Sequence, residues 1–299
     1  MRPWWIAAAL ATIAAGCAAE RPVAQALPLD DPIFAHAGGA PVMLLDEEFG
    51  GTRLDRKRWY TCYNSAPVGQ GCTNNPSLEL EWYRAPNVIV ADGLLHLVAR
   101  VQRAHGHPFT SGMIQSGGTP TTPAGFSFLY GYAEMRAKFP RGAGMWPAFW
   151  LLQTNGRWPP EIDIMEWQGV DPKGDVTTIH WRGGDGQDEQ DGSTYYAAVP
   201  LCAAYHTYAV DWEANAVTWY FDGRAVKRFA EPARIPHLPM YVLLNLAIGG
   251  WEKGQLDPNP SDFPADFAVD YVRVWSKRPS SPLPESAGRR RRARGMAAF

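Results

Sequence analysis

The stretch Glu161-Ile162-Asp163-Ile164-Met165-Glu166 places three carboxylates within six residues, separated only by isoleucine and methionine. Such apolar spacers favour a β-strand over a helix or a solvated loop. Side chains two residues apart on a strand share a face, so Glu161 and Asp163 point the same way, whereas Glu166 has the opposite parity. One extra residue bulged out between Asp163 and Glu166 would bring all three acids to one surface. The stretch therefore predicts a strand with a β-bulge and an acidic face.

An acidic face of this kind suits glycosidic bond hydrolysis, which needs two carboxyl groups that flank the scissile bond. Crowded carboxylates raise the pKa of the group that holds a proton, as a general acid requires. Two structural alternatives fit the same residues: a calcium cluster, or an edge strand whose charges prevent aggregation. The stretch taken alone does not separate these alternatives.

The chain on both sides of this stretch has the pattern of many short strands. Turn signals such as Asp92-Gly93 and Asp222-Gly223 separate segments rich in β-branched and aromatic residues. These segments are 88–90, 94–101, 130–139, 177–181, 208–212, 216–221, 241–247 and 267–275. No long segment has a helical period, and the acidic stretch 185–191 is interpreted as a solvated loop. Residues 42–276 are therefore predicted to form one all-β sandwich domain.

Two tryptophans, Trp146 and Trp150, lie just upstream of the acidic stretch. On a strand, residues four apart share a face. Sugar rings stack their apolar C–H faces on indoles, so this pair beside the carboxylates indicates a glycan cleft. The alternative is that one or both tryptophans are core residues, because large aromatic side chains are often buried.

Charge patterning argues against nucleic acid as a partner. The 299 residues carry a formal net charge of −2, but seven of the 28 basic residues and one of the 30 acidic residues lie after Ser276. The part before that point therefore holds 21 basic and 29 acidic side chains, a net charge of −8. A folded part of this sign does not attract a polyanion.

Both ends of the chain differ in composition from the central part. Residues 1–17 have an apolar run after Arg2 and end in a sequence that resembles a bacterial lipobox, in which Cys17 is lipidated. Simple cleavage of a signal peptide is the alternative. Residues 18–41 indicate a linker, and the basic residues 277–299 indicate a disordered tail. We expect an exported bacterial protein, secreted or held in the cell envelope, that meets a membrane only through this lipid.

Export implies an oxidising compartment, in which cysteines form disulfides. Cys62 and Cys72 bracket a loop rich in glycine, asparagine and proline, and they are the predicted pair. Cys202 is left over and is interpreted as a buried free thiol. The sequence contains no CxxC or HExxH zinc pattern.

Several motifs, in order along the chain, resemble glycoside hydrolase family 16. They are YGYAEMR at 130–136, GMWPAFW at 144–150, EIDIME at 161–166, NLAIGG at 245–250 and VDYVRV at 269–274. The resemblance implies a β-jelly-roll of two curved antiparallel sheets, with a glycan cleft on the concave face and cleavage of β-glycosidic bonds with retention. The extra residue before the second glutamate is similar to the laminarinase-like branch of that family.

The resemblance also implies roles for individual residues. Glu161 matches the nucleophile, Glu166 the general acid/base, and Asp163 the residue that hydrogen-bonds the nucleophile. Positions that match the substrate cleft are Trp146, Arg136, His180, Asn245 and Trp158, with Asn74, Asn75 and the segment 79–83 at its edge.

Catalysis of this kind needs no cofactor, but the resemblance implies one structural calcium ion on the convex face, far from the cleft. The matching positions are Glu48, Gly93 and Asp270, which would supply backbone carbonyls and one carboxylate.

The resulting prediction is a monomeric, retaining endo-β-glucanase that hydrolyses internal β-1,3 or mixed β-1,3/1,4 bonds of a polysaccharide through a covalent glycosyl-enzyme. Trp158-Pro159-Pro160 resembles members that cut bacterial exopolysaccharides of the succinoglycan type, and a transglycosylase would use the same intermediate. A non-catalytic glycan-binding jelly roll is the alternative from another class. Loss of a catalytic glutamate would mark that alternative, and both glutamates are present.

Overall fold

The computed structural model describes residues 40–63, 72–117, 124–250 and 258–279. Within these ranges the regular structure is almost entirely β-strand, with short 3-10 helices at Ala85–Asn87, Pro232–Arg234 and Pro260–Asp262. No helix among the described residues is long and apolar enough to span a membrane. The predicted signal sequence with Cys17, nearly all of the predicted linker, and the tail from residue 280 onward lie outside the described residues.

One sheet, called here the outer sheet, has eight strands within the described ranges. They are β1 (Met43–Glu47), β3 (Val88–Ala91), β4 (Leu94–Ala99), β7 (Gly131–Lys138), β12 (His206–Trp212), β13 (Val217–Phe221), β14 (Arg224–Phe229) and β16 (Ala265–Trp275). Their order is β14-β13-β12-β7-β16-β4-β3, and β1 also pairs with β16. All of these pairings are antiparallel.

The second sheet, called here the cleft sheet, has six strands in the same part of the chain. They are β6 (Met113–Gln115), β8 (Met145–Gln153), β9 (Glu161–Glu166), β10 (Gly174–Arg182), β11 (Asp188–Tyr196) and β15 (Met240–Ile248). Their order is β11-β10-β9-β8-β15-β6. A small parallel pair, β2 (Glu81–Tyr83) with β5 (Phe109–Ser111), lies outside both sheets.

The hydrophobic core fills the space between the two sheets. Phe149, Ile162 and Val242 of the cleft sheet pack in the same cluster as Trp212 and Trp219 of the outer sheet, and all five are fully buried. Apolar side chains on the facing surfaces of two sheets are what hold a β-sandwich together. The predicted all-β sandwich of two antiparallel sheets is therefore confirmed.

Two predicted hairpin turns have the expected backbone conformation. Asp92 and Gly93, between β3 and β4, have φ values of 53° and 70°, and Asp222 and Gly223, between β13 and β14, have 46° and 78°. Two successive positive φ angles define the type I′ turn, whose twist matches that of the flanking strands. Aspartate followed by glycine is typical of this turn.

The interpretation of residues 185–191 as a solvated loop is wrong from Asp188 onward. Strand β11 pairs with β10 along its whole length, from Gly174 opposite Tyr196 to Arg182 opposite Asp188. Eight of its nine residues are exposed, because β11 is the edge strand of the cleft sheet. A strand exposed in this way has no apolar alternation by which it can be found in the sequence.

Candidate active site

The acidic stretch forms β9, and its pairing shows the predicted bulge. On β10, Thr178 lies opposite Asp163 and Val176 lies opposite Glu166, so one residue of β10 faces two residues of β9. The pairing of β9 with β8 shifts at the same point. The two residues in the bulge, Ile164 and Met165, are both buried in the core. Asp163 and Glu166 consequently both face the cleft, as Glu161 does.

Glu161 lies beside a second carboxyl group and an imidazole. The exposed indole of Trp158 donates from Nε1 to Glu161 Oε2 over 2.8 Å. His180 is the residue opposite Glu161 on β10, and its Nε2 lies 3.2 Å from Asp163 Oδ2. The other ring nitrogen of His180, Nδ1, lies 3.1 Å from Asp188 Oδ2. An imidazole held between two carboxylates is favoured in its protonated form.

The pKa values of Glu161, Asp163 and His180 are all raised, but not for the same reason. Burial, followed by the charge of Asp163, raises the pKa of Glu161, while His180 and the Trp158 hydrogen bond oppose that rise. Burial also raises the pKa of Asp163. Burial alone lowers the pKa of His180, but Asp163, Glu161 and Asp188 outweigh it and raise that pKa to about 10. His180 is therefore a cation at neutral pH and balances one of the two neighbouring negative charges.

Glu166 has a simpler environment. Trp146 donates from its indole Nε1 to Glu166 Oε1 over 3.1 Å. Burial, followed by the charge of Glu161, raises the pKa of Glu166 to about 7, against the lowering effects of Trp146 and His180. A carboxyl group with this pKa holds its proton in a large fraction of molecules near neutral pH, as a general acid must.

The cleft around these acids has a volume of about 930 Å³ and crosses β11, β10, β9, β8 and β15. Trp150 donates from Nε1 to Asn245 Oδ1 over 2.8 Å, and Asn245 Nδ2 donates to the hydroxyl of Tyr83 over 3.0 Å. These hydrogen bonds are buried and link Trp150 of β8 to Asn245 of β15 and to Tyr83 of β2. Trp158, which is 51% exposed, stands at the rim.

Most of the predicted cleft residues lie in the cleft. The structure brings together Trp146, Trp150, Trp158, His180 and Asn245 with the three acids, and it adds Asn74, Asn75 and Glu79 from the predicted edge segment. Arg136 is the exception, and its assignment to the cleft is wrong. It lies on β7 of the outer sheet, where its neighbours in sequence, Met135 and Ala137, point into the core. Its side chain therefore points away from the cleft and pairs with Asp270.

Sequence reasoning missed part of the lining. Gln190 and Gly192 of β11 form the far wall, and Tyr63, Arg157 and Tyr241 also border the cleft. Gln190 could be found only through its register, because it lies opposite His180 on the neighbouring strand. Arg157 immediately precedes Trp158 and is the one of these residues that its position in sequence could have indicated.

The predicted calcium positions lie close together at the junction of three strands of the outer sheet. Glu47 of β1 pairs with Val272 and Leu95 of β4 pairs with Val269, so Glu48 and Gly93 both flank the segment of β16 that contains Asp270. Guanidinium groups already engage both carboxylates: Arg136 donates to Asp270, and Arg273 donates to Glu48 over 2.6 Å. A calcium ion would therefore use backbone carbonyls of Glu48 and Gly93 and compete with Arg136 for Asp270.

One other group of side chains has the composition of a metal site. Among the described residues, one set of three histidine, cysteine, aspartate or glutamate side chains has its ligand atoms within 4.8 Å of one another. It consists of Glu161, Asp163 and His180. This is the acidic cluster of the cleft itself. Glycosidases that use two carboxyl groups employ such acids directly, so the cluster is accounted for without a metal ion.

The cysteines gave one confirmed prediction and one wrong prediction. Cys62 and Cys72 form the predicted disulfide, with 4.9 Å between their Cα atoms. The interpretation of Cys202 as a free thiol is wrong, because Cys202 is disulfide-bonded and no cysteine among the described residues is free.

The two-sheet sandwich places paired carboxyl groups in one cleft, the arrangement that glycoside hydrolases use. Residues 76–273 match the model of Glycosyl hydrolases family 16, and the chain belongs to that family. The resemblance seen in the sequence motifs is thus confirmed, and enzymes of this family need no cofactor for catalysis.

Individual relatives agree with this placement. The chain is 36% identical over 237 residues to endo-1,3-1,4-beta-glycanase EglC of Rhizobium meliloti, covering 74% of this chain and 47% of that protein. It is 30% identical over 272 residues to a glucan endo-1,3-beta-glucosidase of Cryptopygus antarcticus, covering 81% and 94%. It also resembles the catalytic domain structure of an endo-1,3-beta-glucanase (laminarinase) from Thermotoga petrophila, with TM-score 0.67, 29% identity and coverage of 79% and 97%.

Proposed function

We propose that this protein is an endo-acting β-glucanase that hydrolyses β-1,3 or mixed β-1,3/1,4 glucan with retention of anomeric configuration. The observation that carries the proposal is the bulge in β9, which turns Glu161 and Glu166 to the same face of one cleft. Two glutamates on one strand face suit the short separation, about 5–5.5 Å, that a retaining enzyme requires. The names of the relatives supply the substrate class, although the chain spans only about half the length of EglC.

The two glutamates take different parts in the proposed reaction. Glu161 attacks the anomeric carbon and forms the glycosyl-enzyme, while Glu166 donates its proton to the departing glycosidic oxygen. Glu166 then removes a proton from water, which attacks the same carbon and releases Glu161. Asp163 lies beside Glu161 and orients it through a hydrogen bond, and the His180 cation offsets its negative charge.

An endo mode of action follows from the extent of the cleft. The cleft crosses five neighbouring strands of the cleft sheet, and strands lie about 4.8 Å apart, so it extends over roughly 19 Å. A groove of this length accommodates several sugar units on both sides of the scissile bond. Trp146 of β8 and the rim indole of Trp158 offer apolar faces to those units, while Trp150 lies largely buried beneath them.

The proposal is tested by reducing-sugar release from laminarin and from mixed-linkage β-glucan, with Glu161→Gln as the matched control. We expect the wild type to cleave both polymers into oligosaccharides and the variant to cleave neither. NMR of the first product should show the β-anomer before mutarotation. A first product in the α configuration would contradict retention, and wild-type inactivity on every β-glucan would favour the glycan-binding alternative.

A bacterial exopolysaccharide is a second candidate substrate. It is supported by Trp158-Pro159-Pro160, directly before the acidic stretch, which resembles members that cut bacterial exopolysaccharides. A succinoglycan-type polymer belongs in the same assay. A higher kcat/KM on that polymer than on either glucan would assign the exopolysaccharide as the preferred substrate. Oligosaccharides longer than the starting material would reveal transglycosylation.

We further propose that the protein is exported, and that Cys17 is either lipidated or left with a free thiol by simple cleavage of the signal peptide; lipidation excludes a disulfide at Cys17. The support is the sequence of residues 1–17, which resembles a lipobox. If Cys17 is lipidated, fractionation of expressing bacteria, with Cys17→Ser as the control, should place the wild type in the membrane fraction and the variant in the soluble one. A lipidated Cys17 has no thiol left for a disulfide, so mass spectrometry that finds Cys17 in a disulfide would contradict lipidation.

We also propose a structural calcium ion at Glu48, Gly93 and Asp270, far from the cleft. The support is the register that brings the three positions together. Millimolar calcium added to the EDTA-treated protein should raise the Tm, and Asp270→Asn should remove that increase. An unchanged Tm in the wild type would contradict the site. Gel filtration at several concentrations tests the predicted monomer in the same samples.

A further inference from the structure

The bulge in β9 receives a hydrogen bond from the opposite sheet. Trp219, on β13 of the outer sheet, donates from its indole Nε1 to the backbone carbonyl of Asp163 over 2.8 Å. Both residues are buried. Carbonyls in a regular ladder point along the sheet toward the neighbouring strand. The Asp163 carbonyl accepts from across the core at the point where the ladder is interrupted.

A second donor reaches the same interruption from the neighbouring strand of the outer sheet. Lys227, on β14, donates from Nζ to the carbonyl of Thr177, the residue of β10 that faces the bulge. Its ammonium group also lies 2.8 Å from Asp191 Oδ1 on β11 and 4.8 Å from the centre of the Trp219 ring. The Lys227 side chain is only 8% exposed. Trp219 and Lys227 thus contact each other and both strands at the bulge.

We propose that Trp219 and Lys227 are positioning residues for catalysis, through which the outer sheet holds the bulge in place and so keeps Glu166 on the cleft face. This inference rests on the proposed glycosidase function, because it depends on the role of Glu166 as acid/base. Neither Trp219 nor Lys227 lines the cleft. The extra residue of a bulge is unpaired and the ladder is disrupted there, so additional contacts are needed to specify its position.

The position of the bulge is sensitive because β9 ends directly after it. Glu166 is the last residue of the strand, so a one-residue shift of the strand end would remove the bulge. Regular alternation would then turn Met165 to the cleft and Glu166 to the core. Glu161 and Asp163 would keep their face, because they precede the bulge. Loss of the Trp219 hydrogen bond should therefore displace the acid/base Glu166 more than the nucleophile Glu161.

The test compares Trp219→Phe with Trp212→Phe. Trp212 is a matched control: it is fully buried in the same sheet, and its indole donates to a backbone carbonyl, that of Pro236, over 3.1 Å. Both substitutions remove one buried hydrogen bond and keep an aromatic ring. Thermal unfolding should therefore show similar decreases in Tm for the two variants.

Catalysis should separate the two variants. The substrates are two aryl β-glycosides of a β-1,3-linked glucose disaccharide, one with a dinitrophenyl leaving group and one with a poor phenolic leaving group. Misplacement of the acid/base slows departure of the poor leaving group, which needs a proton, and spares the dinitrophenolate, which does not. We expect Trp219→Phe to lose about 10–100-fold in kcat/KM on the poor leaving group and less than threefold on the good one. Trp212→Phe should stay within threefold of the wild type on both.

Equal losses for the two leaving groups, or a Trp219→Phe variant indistinguishable from Trp212→Phe, would overturn the inference. Lys227→Met, which keeps the aliphatic stem, provides the second variant and decides the question if Trp219→Phe does not fold. It should show the same dependence on the leaving group with a smaller loss. Failure of the proposed function is distinguishable, because it would leave the wild type inactive on both aryl glycosides and on all glucans.

Discussion

The two ends of β9 have the same residue type in different surroundings. Glu161 and Glu166 both accept a hydrogen bond from an indole, from Trp158 over 2.8 Å and from Trp146 over 3.1 Å. Burial is the largest cause of a raised pKa at both glutamates. In these respects the two carboxyl groups are alike.

Their charged neighbours differ. Glu161 shares its end of the strand with Asp163 and with the His180 cation, so one carboxylate charge there is balanced. Glu166 has no ion pair within 4 Å among the described residues, and its pKa of about 7 allows it to hold a proton. In the proposed mechanism the cation beside Glu161 opposes the rise in the pKa of the nucleophile, while Glu166 holds the proton that the leaving group needs. Neighbouring charges, not residue type, separate the two roles.

The largest effects should come from removing each glutamate. We expect Glu161→Gln to lose at least about 10⁴-fold in kcat on every substrate, because no nucleophile remains. Glu166→Gln should lose about 10²–10⁴-fold on glucan but less than tenfold in kcat/KM on a dinitrophenyl glycoside. Steady-state kinetics on both substrates provides the measurement. An equal loss on both substrates in Glu166→Gln would show that the two ends of β9 are not separated in function.

The pH dependence of kcat/KM should report both ends of the strand. Glu166 must hold its proton, so activity should fall about tenfold per pH unit as the pH rises above about 7. Glu161 must be ionised, and because its pKa is raised, the acid limb should lie above the usual 4.5. On glucan, whose leaving group needs the proton, Glu166→Gln should keep the acid limb and lose the alkaline limb in its residual activity. An alkaline limb that persists in this variant would contradict the assignment.

Removing the cation should affect the Glu161 end first. In His180→Gln the positive charge that lowers the pKa of Glu161 is gone, so the acid limb should move to higher pH. We expect kcat/KM on the acid side to fall about tenfold, the effect of one pKa unit. Asp188→Asn is the control, because it removes the outer partner of His180 and leaves the cation in place. A profile unchanged in His180→Gln would show that the cation does not act on Glu161.

The smallest effects should come from the two indoles, and they should have opposite consequences. Each indole hydrogen bond lowers the pKa of its glutamate, so Trp158→Phe should shift the acid limb upward and Trp146→Phe the alkaline limb upward. Shifts of about half a pH unit correspond to one hydrogen bond of ordinary strength. The pH range of activity should narrow in the first variant and widen in the second. A shift of the same limb in both would contradict the pairing.

Much of the site could be predicted from the sequence because it is built from residues that lie close together on single strands. The parity of Glu161, Asp163 and Glu166 required a bulge, and the register of β9 contains one. The apolar segments predicted as strands lie in strands of the two sheets. Trp146 and Trp150, four residues apart, both line the cleft. These are regularities of period two along a single strand.

The failures lie where the outcome depends on a partner distant in sequence. Arg136 was assigned to the cleft from a motif, but β7 belongs to the outer sheet, and its partner there is Asp270. Strand β11 is polar and forms because β10 offers it a complete antiparallel ladder. Cys202 forms a disulfide, which its position in the sequence does not indicate. None of these partners can be read from local composition.

The sequence by itself determined that this chain forms a β-sandwich. It also determined that the strand at 161–166 needs a β-bulge if its three acids are to share one face. The tertiary structure alone decided which sheet each strand joins, that the His180 cation lies beside Asp163 and Glu161, and that Trp219 and Lys227 reach the bulge from across the core. The physical reason is range. Strand alternation repeats every two residues, whereas burial, charge balance and hydrogen bonds between sheets depend on residues brought together only by folding.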